Sequence, residues 1–260
     1  ISGAGGNVSK TGAGTLGLQN VAVQNGAHGF AVTTGTIDIS GKISGNGGIV
    51  KSGTGTLTFT GTEVNDYDGD TVVTAGTLNL NHTAGVAITN DCFISGGVLL
   101  LGSGNQIADT ANVTVTSGSF NMNSMPETIN SLILDGGTLI NNGAGLTLNS
   151  TGTALSLRNS SIPGQINLTG ATGGNVIFTD TDGNTGTLAN VDLGSANRIF
   201  TVEDVPAAAD LNITGVVSGA GGLTKMGFGL LQYSSNNSNS YTGLTTVSEG
   251  TLLLIKTAPF

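Results

Sequence analysis

The sequence predicts an all-β chain folded as a right-handed parallel β-helix, a β-solenoid of about 12 coils of roughly 21 residues each. Three observations lead there. A glycine recurs at nearly constant spacing. Apolar residues alternate with polar ones on both sides of it, the period of a strand and not of a helix. Charged residues make up 9% and aromatic residues 4% of the chain, with 44 glycines and no tryptophan. About 25% charge is usual for a globular domain. The replacements here are Thr, Asn, Ser and Gly, which suit strands and tight corners.

The recurring glycines are Gly14, Gly35, Gly55, Gly76, Gly97, Gly118 and Gly137, with Gly229 and Gly250 near the end. Two and four residues after each of most of them stand apolar pairs: Leu16/Leu18, Ile37/Ile39, Leu57/Phe59, Leu78/Leu80, Leu99/Leu101, Phe120/Met122 and Leu252/Leu254. Five and three residues before stand Phe30/Val32, Thr71/Val73, Cys92/Ile94, Val113/Val115, Leu132/Leu134 and Thr245/Val247. Each repeat therefore reads as two short strands joined at the glycine, where the missing Cβ permits a sharp corner. The corner lets both strands turn the same set inward. One coil cannot bury its apolar face alone, so only a stack of coils makes a core.

The reading is of one solenoid over 1–260, with regular coils over 1–141, irregular coils over 142–212 and a regular repeat over 213–256. A break near 141–150 is the alternative. In the irregular stretch, strand-like pieces remain at 146–148, 155–157, 166–168, 176–178, 198–202 and 211–213. The segment 205–210 reads as a protruding loop or a single helical turn.

Net charge is −9, and the seven basic residues are scattered, so nothing is arranged to neutralise a phosphate backbone. Apolar runs fall far short of the roughly 20 residues of a membrane span. The chain starts at Ile1 without a basic, cleavable leader, as expected of a piece of a longer polypeptide. The single cysteine, Cys92, falls on the inward ladder and reads as a small core residue. It lacks a histidine neighbour in sequence, with His28 and His82 placed in loops of other coils.

Three segments repeat more closely than the glycine spacing requires. One runs Gly47-Gly48-Ile49, Lys51, Gly53, Gly55, Leu57; another Gly221-Gly222-Leu223, Lys225, Gly227, Gly229, Leu231. The third runs from Ile1 through Gly5-Gly6 to Lys10, Gly12, Gly14 and Leu16, with one extra residue before the lysine. Asn65-x-Tyr67-x-Gly69 matches Asn239-x-Tyr241-x-Gly243, and each leads to a Gly-Thr-Leu strand at Gly76 or Gly250. This pattern resembles the passenger-associated strand repeat of bacterial autotransporters, over roughly 1–81 and 217–254. The resemblance implies a secreted, surface-displayed β-solenoid, exported through an outer-membrane β-barrel that this chain does not contain. Phe260 is not read as a barrel signature.

Few residues suggest chemistry. Asp180, Asp182 and Asn184 alternate around Gly183 as calcium ligands do. They also fit a turn in which Asx side chains bond their own backbone. Asp66, Asp68 and Asp70 show the same alternation but overlay a repeat turn whose other copy has Ser240, Thr242 and Leu244. No catalytic residue, cofactor or metal is assigned. Arg158 and Arg198 are the two arginines, and the acids are spread over many coils, so an enzyme is not expected. Lys10, Lys51 and Lys225 recur at one motif position. They read as outward charges that discourage edge pairing, in preference to a repeated anion contact. Asn79 and Asn121 read as an outer-face stacking ladder.

The expected role is a non-enzymatic extracellular structural or display protein, a stalk or adhesin segment at the bacterial cell surface. Two alternatives are a fibre subunit that self-associates head to tail through the solenoid ends, and a glycan-binding or glycan-cleaving β-helix. Host or neighbouring-cell ligands are unknown, and no nucleic-acid partner is expected.

Overall fold

The computed structural model describes residues 6–83 and 85–257. Ile1 to Gly5 of the first motif copy, and Phe260, lie outside the described residues. No helix occurs among the described residues. The chain forms two compact units, Ile1–Ile129 and Asn130–Phe260. Each is a β-solenoid of six coils, so the twelve coils anticipated from the glycine spacing are present. Among the described residues the strand registers within them are parallel.

In the first unit one wall stacks Val8–Lys10, Ala27–Val32, Gly48–Ser52 and Thr71–Val73. A second wall stacks Thr15–Leu18, Thr36–Ile39, Thr56–Phe59 and Thr77–Leu80. Two ten-residue strands, Cys92–Leu101 and Asn112–Asn121, continue both walls through the corner. A third wall holds Val21–Ala22, Ile43–Gly45 and Asp66–Tyr67. In the second unit the first wall runs Ser131–Asp135, Thr153–Arg158, Asn175–Thr179, Arg198–Val202, Leu223–Met226 and Thr245–Val247. Opposite it stack Leu146–Leu148, Ile162–Leu168, Gly186–Asp192, Leu211–Ile213, Leu230–Tyr233 and Thr251–Leu254.

All six strand-like pieces read in the irregular stretch lie in these strands. The spacing there is lost because coils differ in corner length. Leu155 pairs with Val176, 21 residues on, but Phe200 pairs with Lys225, 25 residues on. The segment 205–210 is a loop with no helical turn, pinned by buried Asp210. The Asp210 carboxylate accepts from Val205 N at 2.9 Å and from Leu230 N at 2.5 Å.

The inner columns form the core. Ile37, Ile39, Leu57, Phe59, Leu78, Leu80, Cys92, Ile94, Leu99, Leu101, Val113, Val115, Phe120, Met122, Leu132 and Leu134 are at most 1% exposed. Each fully buried Leu, Ile or Phe contributes about 1.5–3 kcal/mol. Four residues of the expected ladder differ. Leu16 is 38% and Leu254 46% exposed, and Leu18 and Leu252 are only partly buried. Their strands pair with one neighbour each among the described residues, so half of each inner face lacks a covering coil.

The glycines also differ in detail. Gly14, Gly35, Gly76, Gly97, Gly118 and Gly250 have positive φ, whereas Gly55, Gly137 and Gly229 do not. At those three corners the left-handed residue is Gly53, Gly136 or Gly227. Gly55 is required by close approach instead, since a Cβ there would stand 2.7 Å from the Val32 side chain. Asn79 and Asn121 make no ladder, because Leu100 lies between them in register.

Candidate functional site

The polar chemistry of this chain sits at the corners. Lys51 and Lys225 point inward and are fully buried, which corrects the expectation of outward charges. Lys51 lies in the inner column between Phe30 and Val73, and Lys225 between Phe200 and Val247. The alternation of the strand requires this: Lys51 is two residues from buried Ile49. The long aliphatic stem packs in the core and the ammonium reaches the corner.

Lys51 Nζ donates to the carbonyls of Ser52 at 2.8 Å, Gly53 at 2.7 Å and Ala75 at 3.0 Å. Lys225 Nζ donates to Met226 at 2.8 Å, Gly227 at 2.7 Å and Glu249 at 3.3 Å. In both, two acceptors belong to the lysine's own corner and the third to the next coil. Lys10, partly buried, donates to Gly12 O and to Ala13 O at 3.5 Å. Burial pushes the Lys51 ammonium down to about 8 and lowers that of Lys225, opposed there by Asp210 and Glu249. Three carbonyl acceptors need three N–H donors, and only the ammonium form supplies them.

The glycine 25 residues after each lysine completes the arrangement. A Cβ on Gly76 would lie 2.8 Å from Lys51 Nζ, and one on Gly250 would lie 2.8 Å from Lys225 Nζ. Gly35 holds the same position over Lys10, at 3.0 Å. Lysine and glycine are thus one device across two coils.

Arg198, also fully buried, does similar work in the irregular stretch. Its guanidinium donates to Leu193 O at 2.6 Å, Gly173 O at 2.8 Å and Leu168 O at 2.5 Å. The repeated Asn and Tyr are structural as well. Asn65 Oδ1 accepts from Ile43 N at 2.8 Å and its Nδ2 donates to Ala87 O at 2.8 Å, linking three coils. Tyr67 and Thr71 hydroxyls lie 2.6 Å apart, and Tyr241 and Thr245 hydroxyls 2.5 Å. Recurrence of Lys, Asn and Tyr in both motif copies was the sequence signal for these roles. What it lacked was the direction of each side chain.

Asp180, Asp182 and Asn184 line an open groove of about 360 Å³ with Asn159, Ser160 and Thr185. Within it Asp180 Oδ1 accepts from Thr181 N at 2.6 Å and Asp182 N at 3.0 Å, and Asp182 Oδ1 from Asn184 N at 3.0 Å. These are Asx turns. Hydrogen bonds from Asn184 hold the exposed Asp182 carboxyl below its usual range. No group of three or more His, Cys, Asp or Glu gathers into a metal-holding cluster among the described residues. Adding calcium at millimolar concentration is expected to leave the melting temperature unchanged. A rise of several degrees would make this turn a calcium loop. At the other candidate, Asp66 pairs with Lys42 at 2.6 Å.

The thiol of Cys92 is fully buried, and burial, with Asp70 and Asp91 nearby, pushes it up to about 12. It is inert as a nucleophile at neutral pH. His28 and His82 are both buried, and His82 lies between strands as expected. His28 lies in a strand and bonds Gly6 O at 3.0 Å and Gln24 at 2.9 Å, and His82 packs edge-on against Phe59.

A polar column links three coils near His82. Gln106 Oε1 accepts from His82 N at 2.7 Å, and Glu127 Oε2 accepts from Gln106 N at 2.8 Å. Burial raises the Glu127 carboxyl from 4.5 to about 7, against backbone hydrogen bonds that lower it and with Asp109 adding to the rise. The folded chain therefore holds a proton here that the unfolded chain has released between those values. This contribution to stability is full below pH 4.5 and is lost as pH rises through 7, by about 3 kcal/mol. Glu127→Gln is expected to flatten that part of the pH–stability curve. An unchanged slope in the variant would assign it to other groups.

The sequence profile of the passenger-associated-transport-repeat family matches residues 49–80 and 223–254. Comparison with curated proteins and with solved structures gave no match. The two matched segments are the coil pairs that carry the Lys51–Gly76 and Lys225–Gly250 devices. Repeat and solenoid together support an autotransporter-passenger-like structural protein.

Proposed function

We propose that this chain is a non-enzymatic, surface-displayed structural segment of an autotransporter passenger, a stalk or adhesin body and not a catalyst. One observation carries the reading: all seven basic side chains have partners within the chain. Lys10, Lys51, Arg198, Lys225 and Lys256 donate to main-chain carbonyls. Lys42 and Arg158 pair with Asp66 and Asp135. Glycoside and polysaccharide chemistry needs carboxylates gathered with a base on one solvent face. The groove at Asp180 has two carboxylates in turns and no cation or aromatic ring in its lining.

The repeat family supports an exported protein, and a chain locked by corner clamps suits exposure to proteases. An epitope inserted after Gly183, in the exposed turn, tests the reading in cells producing the full natural protein. Antibody binding to intact cells, and survival of the segment under external protease, are the expected results. Signal only after permeabilisation would overturn display. Release of sugars from a surface polysaccharide, abolished by Asp182→Asn, would overturn the non-enzymatic part.

A further inference from the structure

One corner inside the second unit departs from the others in two ways. The residue before the recurring glycine is small at Ala13, Thr34, Thr54, Ala75, Gly96 and Ser117. Before Gly229 it is Phe228, which is 80% exposed and adds nothing to the core. The corner stacked against it on one side is the lengthened one, 203–210. Gly229 N donates to Val202 O at 2.9 Å, and a Cβ on Gly229 would collide with Glu203 O. That loop turns Val205 and Ala209 inward and leaves Pro206 and Ala208 exposed. The next corner stacks on the other side. Thr251 N donates to Gly229 O at 3.3 Å, and Glu249 Oε2 accepts from Gly227 N at 3.0 Å. Phe228 therefore sits between two described corners and faces solvent at the side of the stack. Single exposed apolar residues are ordinary on protein surfaces. Here the exposed ring coincides with the exposed apolar residues of a lengthened corner and with three exposed acids, Glu203, Asp204 and Glu249. None of the three forms an ion pair among the described residues.

We propose that this corner docks an arginine-bearing segment of another protein, its guanidinium on the Phe228 ring and among the carboxylates of Glu203, Asp204 and Glu249. The face of an aromatic ring attracts a cation, and a guanidinium both stacks on rings and pairs with carboxylates. Exposed Pro206 and Ala208 offer apolar surface to the aliphatic stem of such a side chain. Charge complementarity selects the occupant. Acids rim the ring and the whole chain carries −9, which disfavours an anionic lipid or nucleic-acid surface. A second copy of this chain is a poor source of the cation, because all seven of its basic side chains already have partners within the chain.

Titration of the ¹⁵N-labelled chain with a tri-arginine peptide, at millimolar peptide and low salt, tests this by amide shifts. Shifts are expected to concentrate on 203–208 and 227–229 and to shrink as salt is added. Phe228→Leu keeps an apolar side chain and removes the ring, and is expected to weaken binding about two- to fivefold. Glu203→Gln/Asp204→Asn is expected to weaken it further. Phe228, Glu203 and Asp204 are exposed, and circular dichroism checks that the variants keep the fold. A tri-citrulline peptide, neutral and of the same shape, is expected to leave the spectrum unchanged. Equal shifts from citrulline would assign the corner to a neutral partner, and shifts that follow chain concentration alone would assign it to a second copy. Either result overturns the proposal, as do shifts spread evenly over the acidic surface, a Phe228→Leu variant that binds like the parent, or no shift at all. Display at the cell surface is read separately and stands or falls without it.

Discussion

Replacing Lys51 by methionine is expected to lower the unfolding free energy of the first unit by about 3 kcal/mol. Methionine keeps the length and fills the inner column between Phe30 and Val73. It cannot donate, so the carbonyls of Ser52, Gly53 and Ala75 lose the ammonium that joins them. A buried acceptor without a partner costs about 1–3 kcal/mol. Lys225→Met is expected to act likewise on the second unit, through Met226, Gly227 and Glu249. The control is Lys42→Met. Lys42 sits in a solvent-exposed pair with Asp66, and its loss is expected to cost less than about 1 kcal/mol. Denaturant melts with amide exchange read on the flanking strands separate the units. Equal effects at Lys51 and Lys42 would sink the clamp.

Gly76→Ala is expected to cost at least as much, about 3 kcal/mol or more. Its φ of 66° lies in the left-handed region, where a Cβ costs about 1–2 kcal/mol by itself. The new methyl would also press on Lys51 Nζ at 2.8 Å. Gly14 shares the conformation, at φ 88°, but a Cβ there meets nothing within 4 Å. Gly14→Ala is therefore expected to show the backbone cost alone, about 1 kcal/mol. The difference between the two substitutions isolates the contact with the lysine. The double variant Lys51→Met/Gly76→Ala should be milder than the two single effects combined, since both act on one arrangement. Strict additivity would mean that lysine and glycine work independently.

The fold was legible because a solenoid writes its geometry along the chain. Alternation around Gly35, Gly76 or Gly97 marks strand, corner and strand, and the near-constant spacing brings Leu57 over Ile37 and under Leu78. The middle blurred where corners lengthened, as between Phe200 and Lys225, although the strands themselves kept their pattern. Burial of the terminal ladder residues was not legible. Leu16 and Leu254 have the same sequence signature as Leu57 and Leu80, but burial in a stack depends on the coil next door.

The lysines were misread for a different reason. A charged residue in an alternating strand defaults to the solvent face, because burying an unpaired ion is costly. Parity with Ile49 and Leu223 pointed the other way, and at these corners parity prevails because the carbonyls of glycine-rich turns supply the partners. The alternation of Asp180 and Asp182 suits a metal loop and also successive Asx turns, and their Oδ1 atoms accept main-chain hydrogen bonds in such turns.

The central claim is that the repeated lysines are internal clamps on two successive corners. Proton-detected NMR of the chain labelled with ¹⁵N-lysine, near pH 6, tests it most directly. Lys51 and Lys225 are predicted to give ammonium signals protected from exchange with water, each assigned by its loss in the corresponding methionine variant. Lys42, in its exposed pair, is predicted to exchange rapidly. Rapid exchange at Lys51 and Lys225, indistinguishable from Lys42, would contradict the account and return both lysines to the surface.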